Sequence, residues 1–267
     1  MTHPTAQLME QAWSSFEEVA AQLGPDDWNL PTDCPEWTVR DQLAHISSIE
    51  AAALGRPPAP GDPVQAPHVR NDLGATNQRE IEYRRSWTPE EVLDEYRDTT
   101  AERGKVLASW SDEEWESEGK GVLGVMPRAQ IISIRIVDVF THEQDVRVAT
   151  GHAGHLNGEV ARFVYGRMAA GMPFAFAKRA QATDGQSVVF EVSSPGTTFG
   201  IEMQGKRAVE VDLSAEPTVR LAMDFEAFLR LSTGRWSPNR MREEGRVRVS
   251  GDADLAERML TGMNIML

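Results

Sequence analysis

Apolar positions recur at helical spacing from the start of the chain. Leu8, Ala12, Phe16, Val19 and Leu23 fall on one face of a helix predicted over residues 4–23, and "GPDDW" stops it. A second helix is predicted from Thr38, a good N-cap, with Asp41 where a capping-box acid belongs. It runs through "VRDQLAHISSIEAAAL" and ends at the loop "GRPPAPGDP". A third helical region covers 72–110 and breaks at "SWTPEE", where Thr88 caps and Pro89 takes the first helical position. A fourth starts after Pro127 and ends at Gly151. Four long helical regions predict a four-helix bundle, a fold that builds its sites between facing helices. A fifth helix, "NGEVARFVYGRMAAGM", follows.

The period changes near residue 182. "SVVFEVSS", "TTFGIEMQG" and "RAVEVDLS" are short, β-branched and alternating, with "PG" and "GK" between them as hairpin turns require. A helix at "DFEAFLRLSTG", a strand at "GRVRVSG" and a last helix from "DADLAERMLTGMNIM" complete an α+β half. The polar stretch "KRAQATDGQ" reads as the joint, giving a helical domain over 1–180 and an α+β domain over 181–267. No internal repeat or low-complexity tract interrupts either half.

Composition narrows the function classes. With 41 acidic and 27 basic residues the formal charge is -14, so no basic face is available for nucleic acid. The single cysteine, Cys34, cannot form an internal disulfide, which fits a cytoplasmic protein. The N-terminus lacks the basic start and apolar run of a secretion signal. The most apolar stretch, "GVLGVMPRAQIISIRIVDVF", is broken by Pro127, two arginines and Asp138, so no membrane span is predicted.

That stretch leads into "DVFTHEQDVR", where Asp138 and His142 lie one helical turn apart and share a face. A buried charge is costly unless it is paired or bound to a metal. The plain reading is an i, i+4 pair on a wet helix face. Against it stands the apolar run "IISIRIV" just before Asp138. His45 lies midway along the second helix among Leu43, Ala44, Ile46 and Ile49; a lone histidine there is more often a hydrogen-bonded structural residue. If the two helices face each other, His45, Asp138 and His142 supply two imidazoles and a carboxylate. That is the ligand set of an open zinc or similar divalent site. Glu143 and Asp145, which flank His142, and Asp41, one turn before His45, are candidates to orient the ligands, or else ordinary solvated helix surface.

Other candidates carry less. His152 and His155 have metal-like spacing but follow a helix end beside glycines, as an exposed loop does. His3 and His68 have no context. Cys34 precedes Pro35 and reads as a small half-buried loop residue rather than a reactive thiol. No Gly-rich phosphate loop or nucleophile elbow is present.

"PTDCPEWTVRDQLAHI" and "RIVDVFTHEQDVRVATG" together resemble the second and fourth helices of the mycothiol-dependent maleylpyruvate isomerase family. The first half as a whole resembles the DinB-like bundle of that family. "DFEAFLRLSTGR" and "VRVSGDADLAERMLTGMNIM" resemble the sterol-carrier-protein-like domain that accompanies it. The resemblance implies metal ligands at His45, Asp138 and His142. The isomerase's own acid is a glutamate; the shorter Asp138 implies a metal nearer the fourth helix or bound differently. It also implies one arginine of the second domain near the active site, for which Arg235, Arg246 and Arg248 are the candidates. Each reads equally as a surface cation.

The chemistry implied is that of a low-molecular-weight thiol, mycothiol, in an actinobacterial cytoplasm. A divalent metal, zinc foremost, can hold a thiol as thiolate, a nucleophile for a small electrophile. In an isomerase, addition to a double bond lets it rotate; in an S-transferase the adduct is released. Two other readings stand beside these: a metal-dependent hydrolase on the same bundle, and a non-catalytic binder of apolar ligands through the second domain. Oligomeric state is not legible.

Overall fold

A computed structural model describes residues 2–212 and 216–266. The chain divides into two compact units, 1–154 and 155–267.

The first unit is built on four long helices: α1 (Pro4–Ala20), α2 (Val39–Ala53), α4 (Pro89–Ser109) and α6 (Arg128–Thr150), with α3 (Asp72–Arg84) packed on α2. α1 packs on α6 and α4, and α2 on α4 and α6, which closes the bundle. The caps lie where the sequence places them. Thr38 and Asp41 form a reciprocal capping box at the start of α2, and Thr88 and Glu91 form one at α4. Gly151 ends α6 with φ 71°, a left-handed conformation that glycine adopts without steric cost. α1 stops at Ala20, so Leu23 lies beyond the helix predicted for it.

Two elements of this unit escape the periodicity. A single-turn helix, α5 (Asp112–Glu116), is capped by Ser111. It leads into a hairpin of β1 (Glu118–Gly121) and β2 (Gly124–Pro127). Four-residue strands holding Gly119, Gly121 and Gly124 carry too few side chains to show alternation.

The second unit begins with α7 (Glu159–Ala169), which packs on α9 (Phe225–Ser232). The fifth helix therefore belongs with the α+β half, and the compact units part at 154/155 rather than at the polar joint near 180. A short helix, α8 (Met172–Phe174), runs on into a π-helical turn over Ala175–Arg179. The sheet has the order β5-β4-β3-β6-β7, with β3 (Ser187–Val192), β4 (Thr198–Gln204), β5 (Arg207–Val211), β6 (Val219–Met223) and β7 (Val247–Gly251). Residues 213 and 214, the end of the third predicted strand, lie outside the described residues. β3 and β6 are parallel, and the other pairs are antiparallel. β6 has no counterpart in the sequence reading: Ala222 and Met223 suit a helix as well as a strand and run directly into α9. α10 (Pro238–Glu243), too short for a periodic signal, is likewise new.

Val188 and Phe190 of β3 stand beside Val219 and Leu221 of β6, and all four are buried. Phe190 stacks on Phe199 at 4.9 Å, and Phe228 and Tyr165 pack around them. α11 (Ala253–Gly262) packs on β6 and β7. Among the described residues no helix is long and apolar enough to cross a membrane.

Candidate metal centre

The packing of α2 on α6 brings His45 to the turn that carries Asp138 and His142. One ligand atom from each of the three side chains lies within 4.8 Å of the other two. Asp138 stands between the imidazoles. Its Oδ2 is 3.5 Å from Nε2 of His45, and its Oδ1 is 3.5 Å from Nε2 of His142. His45 and His142 are buried, and Asp138 is partly exposed.

The electrostatics suit a cation. Burial lowers the pKa of His45 to about 4, so at neutral pH its ring is uncharged and able to offer a lone pair. Burial also works to raise the Asp138 pKa. The Arg135 guanidinium beside it is the foremost of the groups that outweigh burial and hold the carboxyl well below its usual range. Two imidazoles and one ionised carboxylate form a donor set suited to zinc or a similar divalent ion. The residues present therefore fit the metal that the sequence suggests.

Around the three stands a shell of fixed partners. Nδ1 of His142 is hydrogen-bonded to Oε1 of Gln42, and Nε2 of Gln42 donates to Oγ1 of Thr32 at 2.7 Å. Trp37 packs its ring against both imidazoles, with centroids 5.1 Å from His45 and 5.8 Å from His142. Its indole N–H donates to Oε1 of Gln78 at 3.1 Å, and His68 hydrogen-bonds the same oxygen at 3.0 Å. Arg135 donates to Asp138 and to Oε1 of Glu50 on α2. Nδ1 of His45, in contrast, is buried without a hydrogen-bond partner among the described residues.

The candidates for an orienting role fare differently. None of Asp41, Glu143 and Asp145 is solvated helix surface; all three are buried. Asp41 caps α2 and pairs with Arg85 at 3.0 Å. Glu143 accepts from Ser15 at 2.6 Å and from Arg147 at 2.7 Å. Asp145 alone approaches the site, with Oδ2 3.7 Å from Nδ1 of His142. His152 and His155 stay outside the cluster, in the loop after α6. Cys34 is a half-buried loop residue. In the second unit, Arg246 is clasped by Asp224 at 2.7 Å and Glu226 at 2.8 Å, whereas Arg248 is exposed on β7. Arg235 follows α9, its backbone N–H bonded to the Arg230 carbonyl.

Residues that pattern alone did not single out are Thr32, Trp37, Gln42, Glu50, Gln78 and Arg135. Gln42 and Arg135 each lie three residues before a candidate ligand, on the same helix face. A polar side chain at that offset in an apolar run was the available signal.

Comparison with known proteins bears on both units. Residues 173–261 match the SCP-2 sterol transfer family. Uncharacterised proteins of two Mycobacterium tuberculosis strains share 27% identity over 152 residues, 57% of this chain and 70% of theirs. The crystal structure of the mycothiol-dependent maleylpyruvate isomerase is similar in fold, with a TM-score of 0.61 at 16% identity over 95% of each chain. A histidine-to-alanine variant of that isomerase gives 0.60 at 14% identity over the same shares. The bundle followed by a sterol-carrier-like α+β domain is thus the architecture of this chain. Residues 9–147, more than half of the chain, match the mycothiol maleylpyruvate isomerase N-terminal domain, and the chain belongs to that family.

Proposed function

We propose that this chain is a divalent-metal-dependent thiol enzyme, a mycothiol S-transferase or a mycothiol-dependent isomerase, acting on a small electrophile in the cytoplasm. The observation that carries the reading is the convergence of His45, Asp138 and His142 from two helices into one cluster. Zinc is the ion that suits the donor set best. When bound, such an ion supplies a positive centre that favours a thiolate over a thiol at neutral pH.

The chain's own residues do the rest. His45 and His142 offer ring nitrogens, and Asp138 offers a charge already balanced by Arg135. Trp37 lines both rings with an apolar face that limits water, which strengthens every electrostatic interaction inside. The partial exposure of Asp138 leaves one side open to a thiol and its electrophile. One of Arg235, Arg246 and Arg248 of the second unit is the proposed cation for an acidic substrate group.

A binder of apolar ligands is less well supported, because the stacked rings of Phe190 and Phe199, with Phe228 edge-on to both, fill space on one side of the second unit's sheet. The test against a hydrolase is direct. Metal-loaded protein is incubated with mycothiol and an activated alkene or alkyl halide, and the products are resolved by mass. A thiol adduct, or an isomerised alkene only when thiol is present, is expected. Cleavage of an amide-linked thiol conjugate, with no adduct or isomer formed, sinks the proposal.

A further inference from the structure

We infer that Thr32 and Gln42 are positioning residues that fix His142 as the Nδ1-protonated tautomer, leaving Nε2 bare toward Asp138 and His45. The inference deepens the metal reading and rests on it for its purpose, though not for its test.

The Thr32 hydroxyl has one proton and two lone pairs. Its proton goes to the Trp37 carbonyl at 2.9 Å. One lone pair accepts the Cys34 backbone N–H at 3.2 Å. The other faces the Gln42 side chain at 2.7 Å and has only acceptance to offer. With the hydroxyl proton on a peptide carbonyl, Gln42 turns its NH2 to Thr32 and its carbonyl oxygen to His142. An oxygen there can only accept, so the proton of a neutral imidazole resides on Nδ1.

Two carboxylates also face the ring. Asp145 lies 3.7 Å from Nδ1 and Asp138 lies 3.5 Å from Nε2, so the two carboxylates pull the proton in opposite senses. Asp138 is already matched by Arg135. The amide orientation tips the balance, and Thr32 sets that orientation. The loop is itself fixed: the Thr32 N–H donates to the Trp37 carbonyl at 3.0 Å, and Pro31 bridges to Thr38.

The test reads the tautomer in metal-free full-length protein labelled with 15N-histidine, by long-range proton–nitrogen correlation at pH 8.5. Wild type should show His142 protonated at Nδ1. Thr32→Val, which keeps the shape and removes the hydroxyl, should move the proton wholly or partly to Nε2; Thr32→Ser should restore it. Gln42→Glu presents oxygen whichever way it turns, so in that background Thr32→Val should leave the tautomer unchanged. A purely structural role for the loop predicts no such dependence. Cobalt affinity should fall about 10- to 100-fold in Thr32→Val and return in Thr32→Ser. An Nε2-protonated His142 in wild type, or an unchanged tautomer in Thr32→Val with Gln42 intact, overturns the inference. Failure of wild type to bind cobalt overturns the metal reading instead, and the nitrogen spectrum still decides the relay.

Discussion

Arg135 and Glu50, 85 residues apart in sequence, meet in the bundle interior with the guanidinium Nη2 2.8 Å from the carboxylate. Through the same guanidinium, Glu50 of α2 is tied to Asp138 of α6, so one buried cation joins the two helices that carry the candidate ligands. Burial works against the Arg135 charge, but Asp138 and Glu50 together raise its pKa above the usual value. Replacing Arg135 with methionine takes the nearest cation from partly exposed Asp138 and from buried Glu50, which keeps only Arg103 at 3.7 Å among the described residues. The expected cost is about 3 to 5 kcal/mol of stability, measured by urea unfolding of the metal-free protein.

Trp37 holds both imidazoles through its ring and Gln78 through its N–H. Trp37→Ala should therefore cost about 3 kcal/mol by cavity formation. Trp37→Phe keeps most of the ring but drops the bond to Gln78, and should lose less. Thermal denaturation of the two variants checks the order.

The Thr38–Asp41 box starts the helix that carries His45. Thr38→Ala should destabilise by about 1 kcal/mol. The metal cluster lies further along α2, so the cap should affect stability far more than metal affinity. Parallel unfolding and cobalt titration separate the two effects.

Glu80 gives the fold a pH dependence away from the metal. Burial works to raise its pKa, but hydrogen bonds from Arg79, Arg84 and the Ala59 amide outweigh it and hold the carboxyl below its ordinary 4.5. A depressed folded-state pKa contributes stability that is present above the unfolded value and lost as pH falls through the folded one. Glu80→Gln should thus be less stable than wild type at pH 7, and the gap should narrow as pH is lowered through and below 4.5. Urea midpoints across that range test it.

Much of this was legible in the chain and some was not, for physical reasons. Caps such as Thr38 and Thr88 are local, so their partners lie three residues away and can be read directly. Asp138 and His142 share a face by helical period alone. Their meeting with His45 needs the register of α2 against α6, which side chains far apart in sequence determine. Gln42, Thr32 and Glu50 act only through that register, so no local pattern marks them. The hairpin β1–β2 and strand β6 were missed because glycines and a helix-like ending hide their alternation.

His45, Asp138 and His142 are expected to hold one divalent cation together. Titration of metal-free protein with cobalt, followed by its visible absorption, tests it most directly. Wild type should take up one equivalent per chain, and His45→Ala and His142→Ala, still folded, should take up none at the same concentrations. Absence of uptake by wild type, or equal uptake by His45→Ala, would contradict it.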